Sequence, residues 1–140
     1  MRTTPFPNVI QKSDATLDNS DKTLTVGAAK QWGLRSVYAK LISTATVGNR
    51  QLDVLLTDGS NNSIAKFVAG AVQAASLTRE YLFAPQLPQE TAFTGGLMLR
   101  ALAGDIVLPA GYKVRVLDSA AIDAAADDLT IRLLVEEMTE

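Results

Sequence analysis

Short segments of alternating apolar and polar residues make up most of this sequence from residue 22 onward, and turn-forming residues separate them about every 8 to 15 positions. The cleanest example has Tyr112, Val114 and Val116 alternating with Lys113 and Arg115. A period of two is typical of strands with one buried face. Because the segments are short and regularly interrupted, the sequence predicts an all-β protein, an antiparallel β-sandwich.

About eight strands are predicted, the number in a two-sheet jelly roll. They cover residues 23–26, 32–47, 52–56, 63–69, 77–83, 97–102, 112–116 and 129–135. The strongest turn signal is the run from Asp58 to Asn62, since Asp, Gly and Asn accept the positive φ angles of tight turns. Residues 32–47 also have apolar residues at helical spacing, but their many β-branched side chains favour a strand.

The sequence divides into two parts near residue 21. Residues 1–20 contain two prolines and a polar, turn-prone run, with few large apolar groups. Such composition predicts a flexible N-terminal arm, because little apolar surface can be buried to offset the entropy of ordering. Residues 21–140 are predicted to form a single β-sandwich domain.

Composition excludes several kinds of active site. The chain has no histidine and no cysteine, which excludes Ser-His-Asp triads, cysteine nucleophiles and metal sites built on His or Cys. Carboxylate chemistry remains open: Glu80 with Glu90 or Asp105 could form a glycosidase pair. One tryptophan is few for a sugar-cleaving site, so we predict that the protein is not an enzyme and has no cofactor.

The acidic segment from Asp118 to Asp128 is the other candidate, because three of its carboxylates lie within six residues, at Asp123, Asp127 and Asp128, and carboxylate oxygens bind hard cations such as Ca²⁺. Its spacing lacks the pattern of an EF-hand loop, so we predict strand-end and capping roles and no metal. Trp32 is predicted to be a core residue. Six arginines are predicted to face solvent on the strands, where some could make ion pairs between subunits: Arg35, Arg50, Arg79, Arg100, Arg115 and Arg132.

Charge and hydropathy limit the partners. Thirteen basic and fifteen acidic side chains give a net charge of -2, whereas nucleic-acid-binding domains usually carry a basic stripe. Apolar runs are too short to span a bilayer, and residues 1–22 lack the apolar core of a signal peptide. We therefore expect no nucleic acid and no membrane partner. The twenty alanines supply little core volume, which favours stabilisation by a homo-oligomer.

An ordered set of turns resembles those of a known group of proteins. The motifs run from Gly48-Asn49-Arg50 through Asp58-Gly59 and Phe83-Ala84-Pro85 to Leu108-Pro109-Ala110-Gly111-Tyr112, then to the 118–128 segment and Leu134-Val135-Glu136-Glu137. Over residues 22–138 the order resembles small jelly-roll virion proteins of tailed bacteriophages, the capsid decoration or cement proteins. Each motif alone is a common turn, so only the ordered set indicates the family.

The resemblance implies a homotrimer on the outer capsid surface of a virion, synthesised in the host cytoplasm, which clamps neighbouring major capsid protein subunits. It transfers no site residues. For the arm, Phe6, Val9 and Ile10 are the predicted apolar anchors on a partner. Two alternatives remain at this point: another virion component of the neck, tail or fibre, or a receptor- or carbohydrate-binding β-sandwich module.

Overall fold

A computed structural model describes residues 8–139, which form ten strands. Their bounds are β1 Asn8–Asp14, β2 Asp21–Thr25, β3 Lys30–Ile42, β4 Leu52–Thr57, β5 Ser63–Val68, β6 Thr78–Pro85, β7 Leu97–Leu102, β8 Ile106–Leu108, β9 Lys113–Asp118 and β10 Asp128–Thr139. No helix in this part of the chain is long and apolar enough to cross a membrane.

The strands form two sheets with jelly-roll connectivity. One sheet has the order β1-β10-β3-β6-β7, with β8 also paired to β3, and the other has the order β2-β9-β4-β5. If β7 and β8 are treated as an insertion between β6 and β9, the chain changes sheet at every connection between the eight remaining strands except the β4–β5 hairpin, as in a jelly roll. The predicted fold, an all-β jelly-roll sandwich, is confirmed.

The structure differs from the sequence prediction at three points. Residues 8–14, expected in the arm, form strand β1, which pairs with β10 from Asn8↔Glu137 to Asp14↔Ile131. One neighbouring pair, β6 with β7, is parallel. The ambiguous segment 32–47 is a strand, but it ends at Ile42. Residues 8–14 of the predicted arm thus form an edge strand of the body, and residues 1–7 lie outside the described residues.

The core lies between the two sheets and consists of the inward-facing residues predicted from the alternation. The longest strand, β3, contributes Trp32, Leu34, Val37, Ala39 and Leu41, each less than 5% exposed. Burial of these side chains, and of their counterparts on β4, β9 and β10, provides the main driving force for folding. Trp32 is a core residue, as predicted, and its indole nitrogen still donates a hydrogen bond to a carboxylate at the rim.

Strand β3 also creates an opening in the larger sheet. Along one edge it pairs with β8 through residues 32–34 and with β6 through residues 37–42. Arg35 and Ser36 lie between these two pairings, and on the opposite edge the register with β10 shifts at Leu134 and Val135. The gap between β6 and β8 therefore exposes the middle of β3 on the outer side of the sheet.

Candidate functional site

A fully buried arginine connects the loops at one end of the sandwich. Arg50 lies in the loop before β4, with none of its side chain exposed. Its Nε donates to Asp127 Oδ2 at 2.8 Å, and its Nη1 donates to the carbonyl oxygens of Thr46 and Gly48, both at 2.8 Å. Hydrogen bonding to Asp127 raises the pKa of Arg50 despite its burial. The prediction that Arg50 faces solvent is wrong, because it is the structural centre of this loop.

The acidic segment is bound to the protein's own loops. Asp118 ends β9, as predicted, and its Oδ1 accepts the backbone N–H of Gln51 at 2.8 Å. The carboxylate of Asp123 accepts hydrogen bonds from the hydroxyls of Thr44, at 2.6 Å, and Thr46, at 2.9 Å, and these bonds lower the pKa of Asp123. Within residues 8–139 no cluster of three acidic side chains is placed to hold a metal ion.

The carboxylates considered for glycoside hydrolysis have separate local partners. Glu80 accepts a hydrogen bond from the hydroxyl of Tyr38 at 2.5 Å, and burial together with this bond raises the pKa of Tyr38 to about 12. Glu90 accepts the backbone N–H of Leu99 at 2.8 Å. Asp105 lies in the turn between β7 and β8 with a positive φ of 55°. None of these contacts joins two of the carboxylates.

Two of the three predicted anchor residues lie in β1 and point to opposite sides of the sheet. Val9 is 55% exposed, whereas Ile10 packs against the core. Phe6 lies outside the described residues. Val9 is therefore placed where a partner could contact it, while Ile10 already stabilises the body; partner binding by the anchors stays a prediction.

The outward side of the six-stranded sheet carries apolar residues among charged ones such as Arg35, Glu80 and Arg132. The apolar residues are of interest here. They occupy positions between core-facing neighbours, so the alternation of the strands directs them away from the core. We call this set the apolar face; it comprises Val9, Leu82, Leu99, Val107 and Leu134. Val107 and Leu134 are 50% and 42% exposed. Large exposed apolar areas mark protein interaction sites more often than isolated apolar residues do.

A groove crosses the apolar face at the gap between β6 and β8. It has a volume of about 710 Å³ and is open to solvent. Its apolar lining includes Ala84, Pro85, Val107 and Leu134, and the ion pair between Arg35 and Glu136 lies at its edge. The sequence did not predict a binding surface at these residues. The signal was present, because Leu134 and Val107 each stand between two core-facing residues, but only the strand pairing places them beside one groove.

Comparison with known proteins adds distant structural similarities. No protein-family model matches the sequence, and no curated protein matches it. The coat protein of tobacco streak virus superposes with a TM-score of 0.37 at 10% identity, over 96% of this chain and 90% of that chain. A chain of turnip yellow mosaic virus gives a TM-score of 0.34 at 11% identity, over 100% and 85% of the two chains.

An enzyme also appears among the similar structures. A ruminal GH26 endo-β-1,4-mannanase gives a TM-score of 0.37 at 16% identity, and the match covers 100% of this chain but 28% of the mannanase chain. Similarity at this level carries no argument about the function of this protein. The jelly-roll assignment rests on the strand order described above.

Proposed function

We propose that this protein is a structural virion protein that decorates the outside of a bacteriophage head and stabilises contacts between major capsid subunits. The apolar face carries the proposal, because exposed apolar residues, Val107 and Leu134, border a groove that nothing in the described chain covers. Exposed apolar residues grouped beside a groove are typical of surfaces that a protein partner covers. The resemblance of the ordered turns to small phage virion proteins supports a major capsid protein as the class of partner.

The structure suits a passive clamp. The apolar face would pack on the capsid surface, and the groove would accept a side chain that protrudes from a capsid subunit. A stable contact of this kind buries about 800 Å² on each partner, an area that one face of a sandwich of this size can supply. Arg50 makes hydrogen bonds that connect the loops at one end of the sandwich, so these loops are already ordered before binding. Little conformational entropy would therefore be lost when the protein binds the capsid. The proposed role needs no catalytic step and no cofactor.

The finer features of the proposal come from the resemblance. The decoration protein would be a homotrimer, and residues 1–7, which include Phe6, would add contacts to the capsid beside Val9. Because residues 8–14 form part of the sheet, deletion of residues 1–7 separates the contribution of the arm from the stability of the fold. We expect this deletion to weaken binding to heads and to leave the thermal unfolding midpoint unchanged.

Light scattering and co-sedimentation test the proposal. We expect a mass near three times 14.9 kDa in solution and saturable binding to purified heads that lack this protein, at a copy number that matches the lattice. A neck, tail or fibre component would instead associate with particles in a few copies. A monomer that does not sediment with heads would refute the decoration role.

Matched surface variants identify the contact surface. Leu134→Ser and Val107→Ser change exposed residues of the apolar face, and Ile64→Ser changes an equally exposed residue, 55% accessible, on the other sheet. We expect the first two variants to lower head occupancy at least tenfold and the third to bind as the wild type does. Equal occupancy for all three would show that the apolar face is not the contact.

A further inference from the structure

A polar groove lies on the opposite side of the sandwich, on the outward face of the four-stranded sheet. Its volume is about 530 Å³, within the range of ligand pockets, about 300–1,000 Å³. Side chains from all four strands and from the turn after β4 line it. We define the polar groove by six of them: Thr23, Thr57, Asn61, Ser63, Lys113 and Arg115. Among its lining residues the apolar one is Leu55.

An arginine in the groove is held in a fixed orientation. Arg115 Nε donates to Asp21 Oδ1 at 2.8 Å, and Arg115 Nη2 donates to Asp21 Oδ2 at 2.5 Å. This two-point contact raises the pKa of Arg115. It leaves Nη1 with no hydrogen-bond partner among residues 8–139. The guanidinium group is thus positioned in advance, with donors still available for an acceptor on a ligand.

A lysine beside it lacks a carboxylate partner in the described part of the chain. Lys113 precedes Arg115 by two residues, so both side chains lie on the same face of β9. The Nζ of Lys113 donates to Asn61 Oδ1 at 2.5 Å, and no acidic side chain of residues 8–139 lies within 4.0 Å of it. An ammonium group has three donors. Two of them remain for an anionic group in the groove.

A buried hydroxyl group in the groove has no partner. Thr57 is 5% exposed, although it lies on the outward side of β4, and its Oγ1 makes no hydrogen bond within residues 8–139. Buried polar atoms in folded proteins are nearly always paired, because an unpaired one destabilises the fold. Lys113 and Ser63 are the cross-strand neighbours of Thr57. Because Oγ1 itself is closed to solvent, a ligand hydroxyl group would satisfy it after the Thr57 side chain rotates toward the groove.

The geometry points to an acidic saccharide as the ligand of the polar groove. Its carboxylate would bind Lys113 and the free Nη1 of Arg115, and its ring hydroxyls would bind Thr23, Thr57 and Ser63. A simple inorganic anion would use the cations but not the neutral hydroxyl groups, and a nucleic acid would need a longer basic track. This inference stands apart from the proposed decoration role, because it concerns the opposite face.

Among residues 8–139, no aromatic side chain lines the groove, so a sugar ring has none of these on which to stack. A single site should therefore bind weakly, with a dissociation constant in the millimolar range. Display of many copies on one particle would raise the effective affinity without any new contact. The test must accordingly measure weak binding to the free protein.

Titration of the full-length protein, followed by backbone amide chemical shifts, tests the inference. The probes are two acidic sugars, D-glucuronate and N-acetylneuraminate. The controls are D-glucose, a sugar without a charge, and acetate, a carboxylate without a sugar ring. We expect at least one acidic sugar to bind at least tenfold more tightly than glucose and acetate, with shifts centred on the polar groove. The inference is overturned if neither acidic sugar binds more tightly than acetate, or if the shifts lie elsewhere.

Three variants assign the binding to individual side chains. Lys113→Gln should weaken binding tenfold or more, whereas Lys66→Gln should not, because Lys66 lies on the same face but pairs with Asp53 at 3.3 Å, outside the groove. Thr57→Val should weaken sugar binding and leave the thermal unfolding midpoint equal or higher, since it removes the unpaired hydroxyl. Equal loss in the two lysine variants, or unchanged sugar binding by Thr57→Val, would refute the assignment. Head binding does not enter these measurements, so failure here is separate from failure of the decoration role.

Discussion

Asp127→Asn removes one charge from the buried ion pair and keeps the shape of the side chain. Asp127 accepts three hydrogen bonds, from Arg50 Nε at 2.8 Å, from Arg50 Nη2 at 3.2 Å and from the backbone N–H of Thr44 at 2.8 Å. Both charged side chains are fully buried. The variant leaves the guanidinium group without its ion-pair partner, and loss of one partner of a buried pair costs about 3–5 kcal/mol.

That loss is a large part of the total stability of a domain, about 5–15 kcal/mol. We expect the thermal unfolding midpoint to fall by roughly 10–15 °C. The measurements are thermal unfolding and urea unfolding, both followed by the fluorescence of Trp32 and by circular dichroism. Asp128→Asn is the matched control, because the adjacent carboxylate makes no ion pair within residues 8–139 and its loss should change the free energy of unfolding by less than about 0.5 kcal/mol.

A decrease of less than about 1 kcal/mol in Asp127→Asn would refute the reasoning, since it would mean that the guanidinium group finds solvent or another partner. A double variant, Arg50→Met with Asp127→Leu, separates the charge from the packing. It should recover only part of the loss. The carbonyl oxygens of Thr46 and Gly48, which Arg50 now satisfies, would lose their donor.

Two further predictions concern the hydrogen bond between Trp32 and Glu137 and the close approach of Gly70 to Glu90. The hydrogen bond from Trp32 Nε1 lowers the pKa of Glu137. The ionised carboxylate therefore stabilises the fold fully above the unfolded-state pKa of about 4.3. This stabilisation is lost as the pH falls through the pKa of Glu137 in the folded protein. In urea unfolding, Glu137→Gln should therefore destabilise the protein more at pH 7 than at pH 3, and an equal destabilisation at the two pH values would contradict the stabilising role of the ionised carboxylate. A Cβ at Gly70 would lie 2.0 Å from the carbonyl oxygen of Glu90, so Gly70→Ala should lower the free energy of unfolding by about 1–3 kcal/mol. Gly59→Ala, with 3.7 Å of space, is the control, and equal melting temperatures for the two variants would disprove the close approach.

The body strands could be predicted because one side of each is buried and the sequence alternates accordingly. Strand β9, with Val114 and Val116 fully buried between half-exposed neighbours, follows the pattern closely. Strand β1 could not be predicted in the same way. It lies at the edge of the sheet, and only Ile10 packs against the core, so its sequence is mostly polar. Its strand conformation depends on pairing with β10.

The buried ion pair of Arg50 and Asp127 could not be predicted from the sequence, for a different reason. Arg50 and Asp127 are 77 residues apart, and neither residue differs in type or spacing from the exposed charges elsewhere in the chain. Only the jelly-roll connectivity brings the loop before β4 beside the loop before β10. The grooves on the two faces could not be predicted for the same reason. Each collects residues from separate strands, and no local pattern marks which outward positions will be adjacent.

The apolar face and the polar groove lie on opposite sheets, so a prediction can be made for the two surfaces together. Leu134 points outward from one sheet and Lys113 from the other, with the core between them, so substitutions at these positions share no contacts and should act independently. Leu134→Ser should lower head occupancy without changing the dissociation constant for an acidic sugar, and Lys113→Gln should do the reverse. In the double variant both losses should equal those of the single variants. If Lys113→Gln also released the protein from heads, both faces would contact the capsid, and the groove could not be open to a saccharide on the assembled particle.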